Sequence, residues 1–439
     1  MPEPIKPRDR DILIQALRTG VVPRVGQHLI QVGRVNEIDA LLKNLDSIAD
    51  GGTAFRLIIG EYGSGKTFFL NLIRAVGLKK RLVATSADLN PDRRLQASGG
   101  QARSLYAELA KNLSTQTKAE GGALAGIVEK FLYSATTEAK TAGTPVDAII
   151  NQKLSRLAEM VNGYDFAHVI SVYCESAQGG NEQRKADAVR WLRGEFTTKT
   201  DARNALGVRT IVDDDNVYDQ IKLLSIFVRL SGFSGLLICL DEMVNLYKLS
   251  NAQARNANYE QILRILNDVL QGSVEGLGFL LGGTPDFLLD TRRGLYSYAA
   301  LQSRLAENAF AKDGLVDFEH PVIRLSSLTP EDFLVLLQKI QNVYAYGDPL
   351  KYPLPDLALP AFMAHCEQRI GEAYFRTPRT TITSFVNFLA VLEQNPGTKW
   401  EQLIGQVAID KDSGGQADLV VEGAPGKSAT DDGFAQFKL

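Results

Sequence analysis

TAFRLIIGEYGSGKTFFL, residues 53–70, is the stretch on which the fold turns. Thr53–Ile59 is a short apolar, β-branched run that reads as a buried strand. From Gly60 a glycine-rich loop leads into a helix beginning at Lys66 and running to about Val76. Gly60, Glu61, Tyr62, Gly63, Ser64, Gly65, Lys66 and Thr67 fit GxxxxGK[ST], with Phe68 just inside the helix. Glycines let successive backbone N–H groups curl inward as an anion nest at a helix N-terminus. Lys66 is placed to reach β- and γ-phosphates, and the Thr67 hydroxyl to ligate Mg²⁺. The plain alternative is a solvated glycine-rich turn, which the strand-to-helix setting disfavours.

A phosphate loop needs an acidic partner, and GLLICLDE at 235–242 supplies an apolar strand ending in two carboxylates. Asp241 is placed to hold Mg²⁺ through water, and Glu242 to orient and deprotonate an attacking water. Read alone, the Asp-Glu pair is a helix cap. The strand GFLL (278–281) is followed by Gly282, Gly283 and Thr284. A hydroxyl there, beside the acidic strand, can touch both water and γ-phosphate, so Thr284 is a candidate sensor as well as an ordinary turn hydroxyl. Arg304, just ahead of the last strand, is a candidate for stabilising transition-state phosphate charge across a subunit boundary. Arg292 and Arg293 compete with it, and a surface or ion-paired arginine is the bland reading.

Outward from these motifs, strands are expected at Leu82–Ser86, Leu236–Leu240, Gly278–Leu281 and Val322–Leu325, separated by helical crossings. That pattern predicts an α/β fold with a parallel sheet covered on both faces. Two helices, at 9–19 and 34–48, precede the first strand. Residues 115–220 show no strand series and read as helices joined by polar loops, an insertion in the core. Trp191, flanked by Arg190 and Arg193, is either a core residue of an amphipathic helix or a partner or DNA contact. Thr329 caps a helix that has Pro330 at its first position, and helices continue to about residue 394. Residues 410–439 read as a polar tail ending in the apolar-anchored DDGFAQFKL, the layout of a docking peptide or of a segment that folds back.

With 48 Lys+Arg against 51 Asp+Glu, the net charge of −3 excludes nucleic-acid binding by bulk basicity. Three scattered cysteines, with no CxxC spacing, give neither a disulfide framework nor a zinc site. His365 beside Cys366 reads as structural. No apolar run reaches the ~18 residues of a membrane span, so a soluble, cytoplasmic protein without membrane contact is expected.

Val32, Gly33 and Arg34, followed by Glu37 and Ile38, resemble the entry box of AAA+ ATPases of the origin-recognition type. More closely, the chain resembles the ATP-binding P-loop proteins of BREX-type anti-phage defence systems. The resemblance rests on GVVPRVGQHLIQVGR (20–34), IIGEYGSGKTFFL (58–70), ADLNPDRRL (87–95), RWLRGE (190–195), GLLICLDEMVNLYKL (235–249), TPRTTITSFVNFLAVL (377–392) and the terminal DDGFAQFKL.

This resemblance implies an AAA+ P-loop core at 51–329 with its insertion, N-terminal helices and an adenine box in 1–50, and a C-terminal helical lid at 330–409. It implies adenine contacts near Val22 and Pro23, and from Gly33 and Arg34. It also implies a lid arginine that reads γ-phosphate, Arg379 or else Arg376. ATP and Mg²⁺ are the implied ligands. The implied activity is ATP hydrolysis by a homo-oligomer acting on DNA, or on a helicase or nuclease partner. The alternative is a slow ATP-dependent switch or loader that recruits such a partner. A small-molecule kinase fits less well, since the Asp-Glu pair and lid helices are foreign to it. The segment after the lid is too short for the winged-helix domain of origin-recognition proteins, so sequence-specific DNA reading is not implied.

Overall fold

A computed structural model describes residues 5–311 and 315–406. In chain order, α1 (Pro7–Arg18), α2 (Gln27–Ile30) and α3 (Val35–Ala49) lead into β1 (Thr53–Ile59), α4 (Lys66–Lys79), β2 (Val83–Asp88) and α5 (Gln101–Lys111). A helical block follows: α6 (Leu124–Ala142), α7 (Val146–Ala158), α8 (Gly163–Gly179), α9 (Glu182–Leu192), α10 (Lys199–Leu206) and α11 (Val217–Leu230). The chain returns to the sheet through β3 (Leu236–Asp241), α12 (Val244–Tyr247), α13 (Ala252–Leu270), β4 (Leu277–Gly283), α14 (Pro285–Leu289), α15 (Ala299–Leu305) and β5 (Val322–Arg324). It then enters a C-terminal bundle of α16 (Pro330–Tyr344), α17 (Ala358–Ile370), α18 (Ala373–Arg376), α19 (Arg379–Gln394) and α20 (Trp400–Ile404).

The five strands form one parallel sheet in the order β2-β3-β4-β1-β5. Ile59 pairs with Gly283 and with Arg324, Leu240 with Leu281, and Asp88 with Asp241, so the carboxyl ends of all five strands finish along one edge. In open parallel sheets this edge is where ligands bind. The strands are apolar on both faces because both are covered. Leu41, Leu45 and Ile48 of α3, with Leu70 and Ile73 of α4, pack on Ile58, Leu237 and Leu280. On the other face, Leu105, Leu109, Leu224 and Ile265 pack on Leu57, Ile238, Phe279 and Leu281.

The helical block shares this second core instead of standing apart from it. Trp191 is buried in it, stands edge-on to Phe166 with ring centroids 6.3 Å apart, and donates its indole N–H to the Thr210 carbonyl at 2.8 Å. Trp191 is therefore a core residue, and its reading as a partner or DNA contact is corrected. Its neighbour Arg190 pairs with Asp187 at 2.8 Å. Thr198 caps α10 by accepting the Asp201 N–H at 3.1 Å.

The first fifty residues divide. Leu13, Ile14 and Leu17 of α1 and Ile30 of α2 join the bundle core with Phe333, Leu337, Phe362, Phe385 and Phe388, whereas α3 belongs to the sheet. Thr329 and Asp332 form a reciprocal capping box that starts α16 where Pro330 predicts it. Cys366 is buried in the bundle, where burial pushes its thiol up to about 12. Among the described residues no group of three or more His, Cys, Asp or Glu converges as a metal cluster. Among them, too, no helix is long and apolar enough to cross a membrane. The tail read at 410–439 lies outside the described residues.

Candidate nucleotide site

The loop at 60–65 is held open by backbone geometry that its glycines permit. Gly63 and Gly65 take φ of +77° and +82°, the left-handed region that side chains disfavour. At Gly60 a Cβ would fall 2.4 Å from the Ser64 hydroxyl. That hydroxyl is itself buried and has no hydrogen-bond partner among the described residues. Gly65 precedes α4, whose first N–H groups have no helical acceptor. The concave loop and an orphaned buried hydroxyl fit a phosphate ligand. Lys66 folds over the loop, its ammonium donating to the Gly60 and Glu61 carbonyls at 2.9 Å each. Burial pulls the Lys66 pKa down, against the opposing charges of Asp241, Glu242 and Glu61. The cation is thus poorly hydrated and ready to exchange two neutral carbonyls for anionic oxygens.

Strand β4 lies between β1 and β3, yet the Thr67 hydroxyl donates to Asp241 Oδ2 in a short hydrogen bond across it. Gly282 of β4 makes this possible, because a Cβ there would sit 2.4 Å from Asp241 Oδ1. The hydroxyl and the carboxylate are hard oxygen donors, the set that suits Mg²⁺. Asp241 Oδ1 also accepts the Glu242 N–H at 2.9 Å. Glu242 has a φ of +57°, uncommon for a residue with a side chain. Crowding by the surrounding protein raises the pKa of its carboxyl, Asp241 adds to the rise, and Lys66 opposes it. Its tip still reaches solvent.

A third carboxylate, Asp88 at the end of β2, stands level with Asp241 in register and is raised by burial and by Asp241. Sequence reading passed it over. The strand-end acid in ADLNP was the available signal.

The remaining predicted residues fall in two groups. Thr284 ends β4 beside Asp241's strand, half-buried, and its hydroxyl oxygen accepts the Phe287 N–H at 3.4 Å as the cap of α14. Arg304 is exposed on α15 and donates to Asn267 Oδ1 at 2.8 Å and the Ala300 carbonyl at 3.0 Å. Arg293 is committed to the Tyr247 and Leu249 carbonyls, at 3.2 and 3.0 Å, while Arg292 is exposed.

On the other side of the loop, the bundle comes close. A Cβ on Gly63 would lie 3.1 Å from Thr377 Cβ, and one on Gly33 3.2 Å from Asp332 Oδ2. Arg379 donates to the Gly20 carbonyl at 2.8 Å, tethering the segment that carries Val22 and Pro23. Arg376 is instead paired with Glu372 at 2.6 Å. Phe68 is half-buried, and its carbonyl accepts from buried Gln27 at 3.5 Å. Arg34 turns toward the loop and donates to the Ser64 carbonyl.

A parallel α/β sheet with a glycine-rich phosphate loop at its carboxyl edge and an acidic strand one position removed is the layout of a P-loop nucleotide-binding core. Residues 5–408 match the family model of the BREX system ATP-binding protein BrxC/D, and the chain belongs to that family. No curated protein matches it. The resemblance read from the sequence is thereby borne out, and with it an ATP-binding role within the BREX system.

Proposed function

We propose that this chain is an AAA+ ATPase that binds and hydrolyses ATP with Mg²⁺ at the carboxyl edge of the sheet and works as an oligomer. The observation that carries the proposal is the Thr67–Asp241 contact over Gly282, which joins the phosphate loop to the acidic strand. The N–H groups of residues 63–67 and the Lys66 ammonium bind phosphate oxygens, with Ser64 as a further donor. Thr67 and Asp241 hold Mg²⁺, directly or through water, and the ion supplies charge neutralisation on the phosphates. Glu242 takes the proton of the attacking water, which its raised pKa favours. Thr284 uses its lone pairs in the α14 cap and so keeps its own proton free to donate into the site. Val22, Pro23 and Gly33 enclose the base, and Glu61, Tyr62 and Phe68 complete the pocket around the loop. The bundle acts as the lid, with Arg379, on the segment beside the base, as its sensor.

The work is done in the cytoplasm on DNA or on a DNA-acting component of the same defence system. Turnover measured with and without double-stranded DNA tests this. Marked stimulation supports the motor, and slow turnover indifferent to DNA supports the switch and counts against it.

Arg304 is exposed, and among the described residues it donates to two neutral acceptors, the Asn267 side chain and the Ala300 carbonyl, which suits an arginine offered to a neighbouring subunit. Mixing Arg304→Ala with Lys66→Ala protein is expected to restore activity, because mixed interfaces pair an intact arginine with an intact loop. No recovery in subunits shown to exchange would remove Arg304 from the site.

A further inference from the structure

Arg34 opens α3 with a φ of +60°, which aims its side chain under the phosphate loop. Nη2 donates to the Ser64 carbonyl and also lies 3.4 Å from the Ser326 carbonyl, in the stretch between β5 and α16. The guanidinium faces the Phe69 ring, with 5.9 Å from Cζ to centroid. Nε is buried without a partner among the described residues. A Cβ on Gly65 would stand only 3.5 Å from Nη1. A half-desolvated cation has been built against the phosphate loop from below.

The geometry of one peptide plane gives this contact a meaning. No cis peptide bond occurs among the described residues. In a trans peptide the C=O of one residue and the N–H of the next point in opposite directions. Anchoring the Ser64 carbonyl to Arg34 therefore turns the Gly65 N–H to the opposite side, the concave side of the loop. Without the anchor this peptide, which ends on left-handed Gly65, is free to flip.

Through the same nitrogen the arginine also reaches the stretch that leads into the bundle. Ser326 leads into α16. Asp332, in the first turn of α16, fills the space over Gly33, and Lys339 of α16 donates to the Gln31 carbonyl. Asp332 from α16 and Glu37 from its own helix support the protonated guanidinium against burial, while Lys66 on the loop faces it as a like charge.

We propose that Arg34 is a positioning residue that couples the C-terminal bundle to the phosphate loop, by fixing the Ser64–Gly65 peptide with its N–H toward the phosphates. This rests on the nucleotide-site reading above. Arginine suits the place because its planar guanidinium faces the Phe69 ring while Nη2 reaches both carbonyls, whereas a lysine is a point charge on a flexible stem.

The test uses the full chain, with Arg34→Lys and Asp332→Asn compared with the unmodified protein. Binding of ATP and of inorganic tripolyphosphate, which has no base, is measured alongside amide hydrogen exchange over residues 62–68. Arg34→Lys is expected to weaken both ligands tenfold or more by the same factor, and to speed exchange in the loop. Asp332→Asn, distant from the phosphates, is expected to shift both readouts less and in the same direction. Unchanged tripolyphosphate affinity in Arg34→Lys, with only ATP weakened, makes Arg34 a base-pocket residue and overturns the proposal. Unchanged loop exchange in Asp332→Asn overturns the coupling to the bundle, and that variant decides alone if Arg34→Lys does not fold. If the unmodified protein binds neither ligand, the nucleotide-site reading fails, while loop exchange in the two variants still decides the latch.

Discussion

Lys66→Ala protein is expected to lose tight ATP binding, at least a hundredfold in Kd by calorimetry, with its fold intact. The ammonium is largely desolvated already and donates to two neutral carbonyls. Exchanging them for anionic phosphate oxygens gains charge-assisted hydrogen bonds, each worth roughly 1.5–3 kcal/mol. Two such bonds correspond to about two to four powers of ten. Glu61 is exposed and its carbonyl can turn to water, so removing the side chain leaves at most the Gly60 carbonyl without its donor, a cost of about 1–3 kcal/mol. Unchanged affinity and turnover would overturn the phosphate-loop assignment.

Glu242→Gln is expected to bind ATP as before and to lose hydrolysis by a factor of roughly 10²–10⁴, the usual contribution of a positioned base. The amide keeps the size and hydrogen-bonding reach of the side chain but cannot accept the water's proton. The pH profile of the unmodified protein carries a second sign. Burial and Asp241 raise the Glu242 pKa, so the carboxylate is lost at a higher pH than in a free glutamate. The acid limb of the turnover profile is then expected above the ordinary glutamate range of about 4.3, and absent from the residual activity of the variant. Normal hydrolysis in Glu242→Gln would place the base elsewhere.

The site was legible wherever it is contiguous in sequence. Residues 60–67 and 235–242 carry their own periodicity, turn glycines and strand-end acids, and Thr329 with Pro330 announces α16. Contacts between distant segments left no local signal. Nothing in GFLLGG shows that Gly282 is small because Asp241 needs its space, although the glycine itself is visible. Arg34 reads as part of a box around a base, and nothing in that local pattern shows that its side chain reaches the Ser64 carbonyl. Arg56 sits in a strand that reads as wholly apolar, and is buried because Asn44 and the Glu319 carbonyl satisfy it at 2.6 and 2.8 Å. Trp191 between two arginines reads equally as a core residue or as a surface contact. Helical packing turns its ring inward and leaves Arg190 outside, an arrangement that a linear pattern presents equally well in reverse.

The pairing of α1 with α19 sets an order of events during synthesis. Arg18 donates to Asn387 at 2.9 Å, across a sequence separation of 369 residues. At roughly 5–20 residues per second, the first helix leaves the ribosome about 20–70 s before its partner exists. Leu13, Ile14 and Leu17 must spend that interval in water or in temporary company. The sheet, complete once β5 has emerged, can form first, with its phosphate loop made and the 20–34 segment still unanchored. The helices that press on that loop follow the sheet in the chain, so a newly made chain acquires its finished nucleotide pocket only once α19 has been translated.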